Sequence, residues 1–179
     1  MKKTLTLLAI LSFLYMNAQF KEGTIYLKDS TEIKGLIKFK TFGGVKYKED
    51  EGSDIREYED SQLSGYDINE NGIIKKYRSK KVGANFPRIM KIEKLGKINL
   101  YSIFGSNAGS AMGLGLPVSE GYVFFLEKNN ITIRTGAKFK NGKLHLIEDC
   151  PTLIDKIKKK EFKKRDVIEI IDYYNKKCD

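Results

Sequence analysis

The chain has 179 residues, with 33 basic and 23 acidic side chains, so its formal net charge at pH 7 is +10. This length allows one domain of ordinary size or two very small ones. Apolar residues make up 41% of the sequence and charged residues 31%, which is enough apolar surface to build a core and excludes disorder throughout. One His and two Cys leave few side chains for a zinc cluster, a His-based catalytic triad or an iron–sulfur site.

The segment 1–18 has the pattern of a cleaved secretory signal. Lys2 and Lys3 give it a positively charged start, and the apolar stretch that follows is about 12 residues long, too short for a helix that spans a bilayer. The small residue Ala18 marks the expected cleavage site, and an uncleaved anchor is the alternative. No later segment has the roughly 18 consecutive apolar residues of a transmembrane helix. We therefore predict an exported protein, periplasmic or secreted.

The middle of the chain alternates between short β-rich runs and turn signals. The candidate strands are 23–28, 31–40, 45–48, 55–58, 73–77, 89–95, 98–104, 122–126 and 131–134. Short strands that recur about every ten residues predict an antiparallel β-sheet, curled into a small barrel or roll, over residues 19–148. Within that range, residues 136–148 fit either a short hairpin that turns at Asn141–Gly142 or a brief helix.

The spacing of apolar residues changes after Asp149. Pro151 is suited to the first position of a helix, and a second helix is expected to begin near Asp166. The apolar face of the first helix holds Leu153, Ile154 and Ile157, and that of the second holds Val167, Ile170, Ile171, Tyr174 and Cys178. The sequence therefore predicts an α+β protein that ends in an α-helical hairpin over 149–179, packed on the sheet.

Cys150 and Cys178 are the only two cysteines. One precedes the first predicted helix and the other follows the second, so an antiparallel hairpin brings them side by side. Exported proteins fold in oxidising compartments, where such pairs form disulfides. We predict a disulfide between them.

Several phrases of the sequence resemble secreted proteins that are widespread in Bacteroidetes. The phrases are Asn17-Ala18-Gln19 at the end of the signal, Gly23-Thr24-Ile25, Gly35-Leu36-Ile37, the run 95–101, and Asp149-Cys150-Pro151 with Tyr174-Asn175 and Cys178. The resemblance covers nearly the whole chain after the signal. It implies export and a similar architecture, and it implies no activity.

The segment Asp67–Gly72 matches the first half of a calcium-binding loop. It has oxygen ligands at alternate positions and a glycine at the sixth, but Arg78 stands where a bidentate Glu is required. A hairpin turn at Asn71–Gly72 is the favoured interpretation. His145 has no Cys, Asp or Glu neighbour at ligand spacing, which indicates a structural or surface imidazole. We predict no metal and no cofactor.

The segment 105–117 is rich in glycine and small apolar residues. It lacks the Lys-Ser/Thr ending of a phosphate-binding loop. The favoured interpretation is a flexible connection between strands, and contact with a partner or ligand is the alternative.

Basic residues are concentrated where the first predicted helix ends. They are Lys156, Lys158, Lys159, Lys160, Lys163, Lys164 and Arg165, interrupted by one acid, Glu161. Such a cluster is typical of a solvated helix end whose cations complement the helix dipole. The alternative is a site for anionic envelope material, such as lipid phosphates or acidic polysaccharide, joined by the strand residues Lys75, Lys76, Arg78, Lys80 and Lys81. Nucleic acid is a poor candidate, because the chain is expected to be exported and no aromatic platform interleaves the cluster.

Together these features favour a non-enzymatic envelope protein that acts as an interaction or structural module. Its expected partner is an envelope protein or an anionic envelope component, and peripheral membrane contact is compatible with the basic cluster. In one alternative, the function of the protein is to bind anionic envelope components. The other is a carboxylate-based hydrolase, which requires a pocket with two neighbouring acids and a raised carboxyl pKa.

Overall fold

The protein is described by a computed structural model that covers residues 20–40, 43–82, 87–105 and 121–178. It is an α+β protein with ten antiparallel strands and C-terminal helices in these residues. The chain divides into two compact units, one that ends at Lys76 and one that begins at Tyr77. The predicted signal segment and most of the glycine-rich segment 105–117 lie outside the described residues.

The described part of the N-terminal unit consists of β-strands joined by short turns. They are β1 (Lys21–Leu27), β2 (Glu32–Phe39), β3 (Val45–Lys48), β4 (Arg56–Tyr58) and β5 (Leu63–Glu70), in the spatial order β5-β1-β2-β3-β4. Alternating side chains, among them Ile25, Ile37, Tyr47 and Ile68, are buried. This alternation gives β1, β2 and β3 one buried face each, as the sequence pattern predicts, whereas no side chain of β4 is fully buried.

Strand β5 is absent from the predicted strands. Gly65, Asp67 and Asn69 have low β propensity, and they conceal the alternation of Tyr66 and Ile68, which are both buried. The strand forms because it pairs with β1, with Tyr66 opposite Ile25. Tertiary pairing therefore outweighs local propensity in this segment.

The C-terminal unit contains a second run of antiparallel strands. The boundary between the units falls within β6 (Ile73–Lys80), and β7 (Arg88–Lys94), β8 (Asn99–Gly105), β9 (Gly121–Lys128) and β10 (Ile131–Gly136) follow in spatial order. A two-residue turn joins β9 to β10, with positive φ angles of 53° at Asn129 and 61° at Asn130, which is the geometry of a type I′ hairpin turn. The described strands of neither unit close into a barrel, so the predicted small barrel or roll is not confirmed.

Three helical segments follow the strands. The ambiguous region 136–148 contains a 3₁₀ helix (Asn141–Ile147), and the two α-helices are α1 (Pro151–Lys158) and α2 (Val167–Lys177). Pro151 occupies the first turn of α1, where its missing N–H costs no hydrogen bond. Among the described residues, no helix is both long enough and apolar enough to cross a membrane.

The helices pack on one face of the C-terminal strands. One buried cluster combines Leu100 and Leu126 from β8 and β9 with Leu153 of α1 and with Ile170 and Ile171 of α2. A second cluster contains Met90, Tyr101, Val123 and Phe125, whose positions alternate with those of the first cluster along the strands. The strands of this unit are therefore apolar on both faces, and the helices cover one of them.

A disulfide joins Cys150 to Cys178, whose Cα atoms are 5.5 Å apart. This arrangement fits the pairing expected from the hairpin. The bond connects the residue before α1 to the residue after α2, while the loop between the helices lies at the opposite end of the hairpin.

Candidate anion-binding site

The site is the loop between α1 and α2, residues 159–166, together with the last turn of α1; we refer to it as the basic loop. Main-chain hydrogen bonds continue past the end of the helix. Lys159 N–H donates to the Asp155 carbonyl at 2.8 Å, and Glu161 N–H donates to the Lys156 carbonyl at 2.9 Å. Lys160 has a positive φ of 62°, which reverses the chain as a helix C-cap residue does. The beginning of the basic loop is therefore an ordered extension of α1.

Two hydrogen bonds hold the second half of the basic loop in place. The Asp166 carboxylate accepts a hydrogen bond from Lys163 N–H at 2.9 Å, which satisfies an otherwise free donor just before α2. The Lys164 carbonyl accepts one from Phe139 N–H at 2.5 Å. The second of these bonds connects the basic loop to the segment that follows β10.

An aromatic contact packs the centre of the basic loop against α2. Phe162 is partly buried and packs edge-on against Tyr173 of α2, with ring centroids 5.6 Å apart. Such a pair contributes about 1 kcal/mol beyond the area that it buries. The main chain is therefore held in place while the charged side chains on either side extend into solvent.

Most of the cations in the basic loop have no acidic partner. Lys156 forms an ion pair with Glu161 at 2.5 Å, and this hydrogen bond raises the pKa of Lys156. Arg165 Nε lies 4.0 Å from Asp166. Within the described residues, no ion pair involves the remaining lysines, all of which are exposed: Lys158, Lys159, Lys160, Lys163 and Lys164. Five unpaired ammonium groups thus occur within seven consecutive residues.

The basic strand residues that the sequence groups with this cluster are engaged differently. Lys75 pairs with Glu70, and Lys80 pairs with Glu127 at 2.8 Å. Arg78 donates to the Tyr77 carbonyl at 2.8 Å, whereas Lys76 and Lys81 are exposed. At least two of the five strand cations are therefore neutralised by carboxylates, and the case for anion binding depends on the basic loop.

The half calcium loop is a hairpin turn. Asp67 and Asn69 belong to β5, and the chain reverses at Asn71 and Gly72, with φ angles of 55° and 83°. The Asn69 side-chain oxygen accepts a hydrogen bond from Gly72 N–H at 2.8 Å. No group of three or more potential metal ligands occurs in the described part of the chain. His145, in the 3₁₀ helix, is exposed.

An open groove of about 840 Å³ lies in the N-terminal unit, above the paired glycines of β1 and β2. Its lining includes the acids Glu22, Glu49, Asp50, Glu51 and Asp67. The Ser53 hydroxyl and the Gly52 N–H lower the pKa of Asp50. Each shifted carboxyl pKa in the described residues is lowered. A general acid needs a raised carboxyl pKa, and the hydrolase alternative stays a prediction.

One polar cluster has no counterpart in the sequence analysis. Lys128 donates hydrogen bonds to the Leu146 carbonyl at 2.8 Å, to Asp149 at 2.9 Å and to the Tyr174 hydroxyl at 2.9 Å. Tyr174 in turn donates to Asp149 at 2.7 Å. All three ammonium hydrogens are used, so this lysine ties β9 to the helices and has no donor left for a ligand. Residues so far apart in sequence give no signal of such a cluster.

No protein-family model, curated protein or solved structure matches the chain. The resemblance to secreted proteins of Bacteroidetes therefore stays a prediction. The case for function depends on the geometry of the chain itself.

Proposed function

We propose that this protein is a non-enzymatic, exported interaction module that binds anionic envelope components through the basic loop. The observation that carries the proposal is the set of five exposed lysines without acidic partners on a loop whose main chain is fixed. The ligands are multivalent anions, namely the phosphates of a lipid surface or the carboxylates of an acidic polysaccharide.

The fixed main chain favours this function. Binding costs less entropy when the binding groups are already held near each other. Each basic group near an anionic surface contributes about 1 kcal/mol, and the effect is screened within about 10 Å at 0.1 M salt. Five such groups give an affinity that a single lysine cannot give.

Two features support the exported setting. The segment 1–18 has the composition of a secretory signal, and Cys150 and Cys178 form a disulfide. Disulfides persist in the periplasm and outside the cell, whereas thiols in the cytosol are kept reduced. An envelope location would also place the basic loop among lipid phosphates and acidic glycans.

Co-sedimentation tests the proposal. The full chain is mixed with vesicles that contain an anionic phospholipid, with vesicles of neutral lipid, or with an acidic polysaccharide such as alginate immobilised on beads. We expect binding in the first or third arm at low salt, and at least a tenfold loss when Lys158, Lys159, Lys160, Lys163 and Lys164 are all changed to Gln. The arm that binds identifies the source of the anion.

A matched variant distinguishes binding by the basic loop from a general effect of net charge. Changing five exposed lysines elsewhere removes the same charge; suitable positions are Lys28, Lys34, Lys76, Lys81 and Lys177. We expect this variant to keep most of the binding. If the two variants lose binding equally, the protein is attracted by its net charge and not by the basic loop. If the wild type binds in none of the arms, the proposal is refuted.

A further inference from the structure

Strand β10 is an edge strand of the sheet. Its ladder is with β9, and no second strand pairs with it in the described part of the chain. Edge strands are usually protected by charges, bulges or proline, because their free main-chain groups can pair with another chain. Here the register shift between Arg134 and Gly136 interrupts the ladder, which leaves Ile131–Arg134 as a regular stretch with no second strand beside it in the described residues, although Thr132 is only 7% exposed.

The turn before β10 determines which main-chain groups are free. A two-residue type I′ turn places a hydrogen-bonded pair at its base, here Lys128 with Ile131. Pairs in an antiparallel ladder alternate between hydrogen-bonded and non-hydrogen-bonded. The N–H and C=O groups of Thr132 and Arg134 therefore point away from β9, toward the free edge.

An apolar cavity of about 280 Å³ lies beside this edge. Ile131 and Ile133 of β10 line it, together with Ile98, Leu126 and Leu146. Three polar residues complete the lining: Lys128, Asn129 and His145. Ile131 is 66% exposed, so an aliphatic side chain of the edge strand is in contact with solvent beside the cavity. The cavity has room for one further aliphatic side chain.

The opposite face of the same edge carries a guanidinium nitrogen without an acceptor. Arg134 alternates with Ile133, so its side chain lies on the other face of the strand. Its Nε atom is buried and has no hydrogen-bond partner within the described residues. A buried N–H donor without an acceptor is unfavourable. Arg134 as a whole is partly exposed, and a carboxylate is the acceptor that fits a guanidinium best.

We infer that β10 binds an extended segment of a partner protein by β-strand addition, and that this segment alternates aliphatic and acidic residues. Main-chain pairing to Thr132 and Arg134 gives the affinity. Alternate side chains of the added strand enter the apolar cavity on one face and meet Arg134 on the other, and they give the specificity. The inference is independent of anion binding by the basic loop.

A synthetic peptide tests this inference with the full chain. The probe is acetyl-Thr-Val-Glu-Val-Glu-Val-Thr-amide, and the comparison peptide has Gln in place of both Glu residues. Binding is followed by NMR shifts of the labelled protein and by calorimetry, in about 0.3 M salt to screen general attraction. We expect the acidic peptide to shift the resonances of β10, and the Gln peptide to bind about tenfold more weakly.

Arg134→Gln should remove the preference for the acidic peptide, so that both peptides bind with affinities within about twofold of each other. The five-Gln variant of the basic loop should bind the acidic peptide as the wild type does. If the loop variant loses binding and Arg134→Gln keeps it, the peptide is attracted by the basic loop and the inference is wrong. An acidic peptide that does not bind the wild type also refutes it.

N-methylation of the peptide tests main-chain pairing without changing the protein. A Glu that faces Arg134 across the new ladder has its N–H directed at β10, whereas the N–H of each Val points away. Methylating the two Glu amides should abolish binding, and methylating the first two Val amides should preserve it. Equal effects of the two modifications would show that the peptide does not bind as a strand.

Discussion

Gly23 and Gly35 lie opposite each other in the ladder of β1 and β2, and neither has space for a side chain. A Cβ atom on Gly23 would collide with the Asp67 carbonyl oxygen and lie 2.6 Å from Cδ1 of Ile37. A Cβ on Gly35 would collide with the Lys48 carbonyl oxygen and lie 2.6 Å from Cε2 of Tyr47. Close approach of neighbouring main chain therefore explains both glycines.

We predict that Gly23→Ala and Gly35→Ala each lower the free energy of unfolding by about 2 kcal/mol or more, because the colliding atoms are main chain and cannot simply rotate away. Denaturant titration measures the effect. The control is Gly52→Ala, since a Cβ there meets only an Asp50 carboxylate oxygen at 3.5 Å. Equal stability of all three variants would contradict this account of the paired glycines.

Glu127 makes the stability of the C-terminal unit sensitive to acid. Burial disfavours its ionised form, but hydrogen bonds from Lys80, Asn99 and Tyr101 outweigh that effect and lower its pKa from 4.5 to about 2. The unfolded chain therefore takes up this proton at a higher pH than the folded protein does. The stabilisation, about 3 kcal/mol, is complete above pH 4.5 and is lost as the pH falls toward 2.

We expect Glu127→Gln to be less stable than the wild type at pH 7 and to lose less stability between pH 5 and pH 2, as measured by denaturant titrations along that pH series. Glu161→Gln is the matched control. Glu161 is 48% exposed and pairs with one lysine. Removing its charge should therefore leave the loss of stability between pH 5 and pH 2 unchanged. Parallel pH profiles of Glu127→Gln and wild type would show that Glu127 is not the group responsible.

Local patterns in the sequence predict most of the elements. Pro151 and the spacing of Ile170, Ile171 and Tyr174 locate both helices, because helix starts and apolar faces are determined within a few residues. The sequence does not predict β5, whose strand character comes from pairing with β1 and not from its own residues. It also does not determine how far the sheet curls, because curvature depends on contacts between strands distant in sequence.

The sequence likewise predicts one candidate site, the basic loop, and not the other, the edge strand β10. The basic loop is visible in the sequence because its cations are contiguous, although their lack of partners is a fact of the structure. The free edge at Thr132 and Arg134 is not visible, since it depends on which strand has a neighbour. The cavity beside it combines residues from Ile98 to Leu146, a set with no common sequence motif.

The disulfide should account for a large part of the stability of the C-terminal unit. Its two cysteines are separated by 28 residues, and closing a loop of this length stabilises the folded state by about 3 to 4 kcal/mol in the chain-entropy model. We expect reduction to lower the free energy of unfolding by that amount. The double variant Cys150→Ser, Cys178→Ser should match the reduced protein and show no response to reductant. Two titratable thiols in unreduced, denatured wild type would disprove the bond.

The C-terminal strands should depend for their stability on the helices that pack on them. Ile171 is fully buried in the cluster that includes Leu100, Leu126 and Leu153, and an aspartate there would place an unpaired charge in an apolar core, which costs several kcal/mol. We predict that Ile171→Asp removes hydrogen-exchange protection from β7 to β10 as well as from α1 and α2. The control is Glu169→Asp, at an exposed position in the same helix, which should keep full protection. If Ile171→Asp exposes the helices while amides of β8 and β9 stay protected, the helical hairpin is a separate cooperative unit and the packing contributes little to the strands.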